Sequence, residues 1–156
     1  MTQEYKDLLF QDLCGRLPYG VKCLVNYTIC NETTDYDDVK SSVVDTIVTI
    51  NQQTESYFFE WLSEWFDFDE FKPYLFPLSS MTEEQKKELD KKFNVIGIYS
   101  NNILIHYHSQ GYWDTDLEVD FQDWLWLIDW LNKNHFDYRG LIEKGLAINA
   151  TGLNIY

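Results

Sequence analysis

Residues 120–147 read DFQDWLWLIDWLNKNHFDYRGLIEKGLA, and the fold turns on how they are placed. Phe121, Trp124, Leu125, Ile128 and Leu131 recur at helical spacing, a stripe wide enough to face a core, and Asp120 is positioned to cap the first turn. A helix over 121–134 follows, with Asp120 and Asp123 at its positive end and Lys133 in its last turn. Trp126 and Trp130 fall outside that stripe, so the helix is apolar around more than half its circumference. It must be covered on two sides or present a tryptophan-bearing face to a partner. After a break at Asn134 to Phe136, Asp137 is placed to cap a short second helix with Leu141 and Ile142 inward. A left-handed Gly145 would end it and fold Leu146 back onto Leu141.

Upstream, Thr2 to Leu13 reads as an amphipathic helix with Tyr5, Leu8, Leu9 and Leu13 inward, ended by Gly15 and Pro18. Val21 to Ile29 alternates as a half-covered strand does, with Val21, Cys23, Val25, Tyr27 and Ile29 on one face. A polar turn over 31–38 leads into a β-branched strand, Val39 to Ile50, with Val44, Thr46, Val48 and Ile50 on one side. Tyr57 to Leu62 reads as a third strand with Tyr57, Phe59 and Trp61 sharing a face, although Trp61 to Phe68 also fits a short helix. Pro73 and Pro77 hold an extended run. Thr82 with Gln85, or Ser80 with Glu83, forms a capping box before an outlying helix anchored by Leu89 and Phe93. Val95 to Tyr99 and Ile103 to His108 complete a hairpin about Ser100, Asn101 and Asn102. The pattern predicts one α+β domain over 1–156: a mostly antiparallel sheet of four or five strands on a C-terminal helix pair, plus an N-terminal helix.

A chain of 156 residues buries roughly 70% of its unfolded surface, enough for a substantial core. Aromatic residues make up 17%, far above a disordered acidic chain, so the net charge of −14 is spread over a folded surface. Such a surface repels nucleic acid and anionic membrane, and its natural partners are basic: a cationic protein face, a metal ion or a cationic ligand. The three cysteines, Cys14, Cys23 and Cys30, form no CxxC and suit reduced thiols in a cytoplasm. No signal peptide and no apolar run of membrane length is expected.

EWLSEWFDFDEF, residues 60–71, carries five carboxylates and no basic residue among closely spaced rings. Rings at 61, 65, 66, 68 and 71 cannot all be buried by one regular element, so some are expected on the surface beside the acids. The plainer reading is a self-packed loop or a solvated helix face. The functional reading is a docking surface: Trp61, Trp65 and Trp113 are anchors, and Asp67, Asp69, Glu70, Asp114, Asp116 and Glu118 steer a basic partner.

His106 and His108 share a strand face, a spacing used by metal sites on sheets, but hydrogen-bonded strand histidines are the commoner case. No metal and no cofactor is expected. The carboxylate pairs Asp67 with Asp69 and Asp114 with Asp116 arise by chance in so acidic a chain. Residues 114–118 lack the glycine and bidentate glutamate of a calcium loop, since Val119 and Leu125 stand there. No nucleophile elbow, P-loop, dinucleotide fingerprint or HExxH occurs, so a non-enzymatic protein is expected.

LFQDLCGRLPYGVKC from Leu9, KPYLFPLSSMTEEQKKEL from Lys72 and NHFDYRGLIEKGLAINA from Asn134 span about a third of the chain. These phrases resemble a family of short hypothetical proteins common in Bacteroidetes genomes and in the phages and mobile elements that infect them. That family carries no established activity and no catalytic residues to transfer. The resemblance implies a bacterial cytoplasm and a phage-encoded gene. In that setting the basic partner would be a host nucleic-acid-binding or defence protein. Three alternatives stand beside this: an immunity or antitoxin-like protein, a small metal-dependent hydrolase using His106 and His108, and a homo-oligomer joined through the Trp126 and Trp130 face.

Overall fold

The computed structural model describes residues 1–29, 39–51, 53–54, 56–98, 103–106 and 121–156; for 29, 39, 94–98 and 103–106 it describes the backbone alone. Thr2 accepts a bond from the Tyr5 N–H at 3.3 Å and starts α1 (Gln3–Arg16). Leu9 and Leu13 are fully buried, with Tyr5 and Leu8 packed against them, as the spacing predicts. The helix does not stop at Gly15; it continues to Arg16 and into a 3-10 turn over Leu17–Tyr19. Gly15 has a different use. A Cβ built there would come within 2.8 Å of the Asn132 side-chain nitrogen, so the missing side chain makes room for Asn132 beside α1.

Val21, Cys23 and Val25 are fully buried along and just before β1 (Lys22–Ile29). β2 (Val39–Asn51) runs antiparallel to it, with Val39 to Thr46 in register against Ile29 to Lys22. The side of β2 bearing Val44 and Val48 is the outer one, and Asp45 and Ile47 point inward. A bulge between Ile47 and Thr49 returns Ile50 to the core side, so Ile50 leaves the face that alternation gave it. β3 (Ser56–Phe59), the two-residue β4 (Trp65–Phe66) and β5 (Phe71–Pro77) extend the sheet on its two sides. β8 (Phe136–Asp137) and β9 (Ile148–Asn149) each run parallel to β5, and the order across the sheet is β4-β3-β2-β1-β5-β8.

The described residues therefore form a mostly antiparallel sheet of seven strands, larger than the four or five expected. β4, β8 and β9, of two residues each, are too short to show a period of two, β5 is expected only as an extended run, and the hairpin counted among the expected strands pairs apart from this sheet. β6 (Asn94–Ile98) and β7 (Ile103–His106) form a separate antiparallel pair. Between the sheets comes α2 (Glu83–Asp90), opened by a capping box in which Thr82 and Gln85 bond each other's backbone. Its Leu89, with Phe93 beyond its end, is buried as expected.

α3 (Phe121–Lys133) forms where expected but turns its other side to the core. Leu127, Trp130 and Leu131 are buried, whereas Phe121, Trp124, Leu125 and Ile128 are 69%, 47%, 49% and 38% exposed. A helix apolar over most of its girth leaves its inward side to be chosen by the available partners. Here Trp130 stacks on Phe136 at 5.7 Å and on Trp126 at 6.2 Å, and Trp126 meets Phe93 at 5.8 Å. Leu78, Met81 and Leu89 close this second core. On the face expected to join copies of the chain, Trp130 is thus buried and Trp126 partly buried against this core. Asp120 lies outside the described residues.

The expected second helix is a single turn over 141–145. Asp137 accepts the Leu141 and Ile142 N–H groups at 2.8 Å each, and Gly145, at φ 70, closes the turn with Leu146 bonded back to Leu141 at 2.9 Å. Gly140 at φ 69 bars continuation of the helix upstream, so only one turn fits between the two glycines.

The first and third of the phrases quoted above meet in a buried polar cluster, and the second touches the third separately through Gln85. Asp12 and Arg16 are fully buried on α1 and joined by two bonds of 2.6 and 2.9 Å; Arg16 also donates to the Phe136 carbonyl at 2.7 Å. Arg139 approaches the same Asp12 carboxylate at 3.5 Å. The two arginines of the chain also flank the Tyr138 ring, at 5.4 and 5.3 Å. Tyr138 donates to Asn132 at 3.0 Å, and Gln85 reaches Asn134 at 3.3 Å.

Candidate functional site

Asp45 organises the surface at 60–70. Its side chain is an acid in an inward register position of β2, and it is 5% exposed. It accepts the Thr46 N–H at 2.7 Å, the Trp61 N–H at 3.0 Å and the Leu62 N–H at 2.9 Å. Those bonds fold the chain after β3 into a tight turn, with Ser63 at φ 54 donating its N–H to the Phe59 carbonyl. Trp61 is thereby held outside the core, 69% exposed.

Beyond the turn, alternate rings go in and out. Phe66, Phe68 and Phe71 are buried; Trp65 is 48% exposed and leans on Phe58 at 5.3 Å. The buried rings form an edge-to-face cluster in which Tyr57 and Phe59 meet Phe68, Phe66 and Phe71 at 4.8–5.5 Å. Such pairs contribute about 0.5–1.5 kcal/mol each beyond area burial, which makes the base of the surface rigid. The self-packed loop and the surface display coexist: the cluster is the loop's packing, and the two tryptophans stand outside it.

Glu60, Glu64, Asp67, Asp69 and Glu70 are all exposed around these rings. Asp69 faces the Met1 ammonium at 3.7 Å, Glu70 accepts the Asp67 N–H at 2.8 Å, and Lys6 lies over the Phe68 ring at 5.7 Å. This arrangement can bind cations and stack flat groups; among the described residues no nucleophile with a partnering base accompanies it.

Of the sequence-predicted site residues, Trp61, Trp65, Asp67, Asp69 and Glu70 come together here. Trp113, Asp114, Asp116, Glu118 and His108 lie outside the described residues, as does the His106 side chain. Among the described residues no three histidine, cysteine, aspartate or glutamate side chains gather at metal-binding distance, and no helix is long and apolar enough to cross a membrane. Sequence reasoning missed Asp45, Phe58, Glu60 and Glu64. The signal for Asp45 was present: a lone carboxylate midway along a β-branched strand needs donors from somewhere.

Asp45→Ala is expected to leave the Trp61 and Leu62 N–H groups without their acceptor and to lower stability by about 2–3 kcal/mol. Hydrogen exchange at those two amides should accelerate well beyond the change at Leu9 in α1. Uniform acceleration would mean that Asp45 supports the core rather than the turn.

Comparison of the chain with family models, curated proteins and solved structures finds no match.

Proposed function

We propose that this is a non-enzymatic binding protein whose acidic, tryptophan-bearing surface at 60–70 engages a basic protein partner. One observation carries this most directly: the chain spends a buried carboxylate, Asp45, on holding Trp61 outward among five exposed acids. An exposed indole on a fixed backbone loses little entropy when covered, and the acids around it raise the encounter rate with a cationic face. The resemblance in the three phrases supports a context for that partner, a host nucleic-acid-binding or defence protein met by a phage- or mobile-element-encoded chain, with carboxylates standing where phosphates would.

The immobilised protein is expected to retain basic polypeptides from a bacterial extract at about 0.05 M salt and to release them by about 0.5 M, where screening is nearly complete. The protein carrying Glu60→Gln, Glu64→Gln, Asp67→Asn and Asp69→Asn should retain none of them. Equal retention by the neutralised protein, or retention of nothing that salt releases, contradicts the proposal.

A further inference from the structure

The backbone beside Trp65 determines what kind of basic partner the surface accepts. We infer that the partner supplies an extended, lysine- or arginine-bearing segment that adds as a strand to the outer side of β4, a step that rests on the binding role proposed above. β4 ends the seven-stranded sheet, and no described residue pairs on its outer side. Phe58 stands opposite Trp65 and Tyr57 opposite Phe66, while the Phe59 N–H donates to the Glu64 carbonyl at 3.1 Å. Bonded and non-bonded pairs alternate along an antiparallel ladder, so with Phe59 and Glu64 bonded, Phe58 and Trp65 form the non-bonded pair. The N–H and C=O of Trp65 therefore turn away from β3, toward the open edge.

The next outward donor, the Asp67 N–H, is already held by the Glu70 carboxylate at 2.8 Å. The open edge is thus one residue long and offers one donor and one acceptor. Its shortness and its flanking acids, Glu64 and Asp67, disfavour pairing with a second copy of this chain, which would bring the same charges. A basic segment meets the opposite condition. Its two backbone bonds set the register, its cationic side chains reach the flanking carboxylates, and an alternate side chain lies against the half-exposed Trp65 indole.

Two probes test this: a short, end-capped peptide alternating lysine and valine, and the same peptide with every backbone nitrogen methylated. They carry the same charge, but only the first can add as a strand. The unmodified peptide is expected to bind at least about tenfold more tightly, as two net hydrogen bonds imply, and at saturation to slow exchange of the Trp65 amide, which the methylated peptide leaves unchanged. Equal binding by both, without protection of Trp65, overturns strand addition and leaves the charge-based docking intact. Binding by neither at low salt overturns both. Trp65→Ala, which keeps the edge but removes the indole, should weaken the unmodified peptide and still protect the amide at position 65.

Discussion

Asp12→Ala is expected to destabilise the protein by about 3–5 kcal/mol, among the largest effects of any single substitution. The loss follows from what stays behind. Arg16 is fully buried, and one of its terminal nitrogens, Nη1, already has no hydrogen-bond partner; without Asp12 the guanidinium keeps only its bond to the Phe136 carbonyl. Arg139 suffers less, because it is partly exposed and can turn to water. A buried ion pair is weak evidence of net stabilisation, since desolvation offsets attraction, but a buried charge stripped of its partner is costly. Asp12→Ala combined with Arg16→Met should therefore be more stable than Asp12→Ala alone, and denaturant midpoints of the wild type, both single variants and the double give the coupling. Additive losses would mean that the two side chains contribute only packing.

Acidification should unfold the chain partly through His135. This residue lies two positions beyond α3 with φ 55, is 7% exposed, and stacks on Tyr156 at 3.9 Å, with its Nδ1 unpartnered. Burial, then the Arg16 charge, then the Lys22 charge hold its imidazole down from 6.5 to about 4. The Tyr156 hydroxyl against it donates to the Tyr74 carbonyl and accepts the Lys22 N–H. Because the folded pKa is depressed, the neutral imidazole's contribution is fully present above pH 6.5 and is lost as pH falls from there toward 4. Partial screening trims that loss to about 2–3 kcal/mol. His135→Asn keeps a residue that tolerates positive φ and removes the titration. Stability of the variant between pH 7 and 4 should fall less steeply than that of the wild type, the difference matching one proton. Identical slopes would show that the imidazole takes up its proton at the same pH in the folded and unfolded chain, so that burial does not depress it.

The parts of this fold written as period or cap were legible in the sequence. The Thr82 capping box, the buried face from Val21 to Val25, the α1 anchors Leu9 and Leu13, and the split of the 60–71 rings between core and surface all follow from side-chain chemistry within a few residues. What was missed depends on distant partners. Nothing local tells α3 which side to bury, because Phe93, Phe136 and Leu78 make that choice from elsewhere in the chain. Gly15 reads as a helix end until Asn132 is placed beside it. Asp12 and Arg16 share the helical face of Leu9 and Leu13, and that spacing, taken without regard to charge, would have shown the buried pair. At the candidate site, the composition pointed to Trp61 and Trp65, but Asp45, which positions the turn, lies sixteen residues before Trp61 and is joined to it only by the sheet.

Hydrogen exchange on the complex with the basic protein retained at low salt is the most direct test of the recognition surface. Slowed exchange concentrated in residues 58–70, centred on Trp61 and Trp65, is the result expected. Protection confined instead to the exposed apolar side of Phe121–Ile128, with 58–70 exchanging as in the free protein, would contradict it.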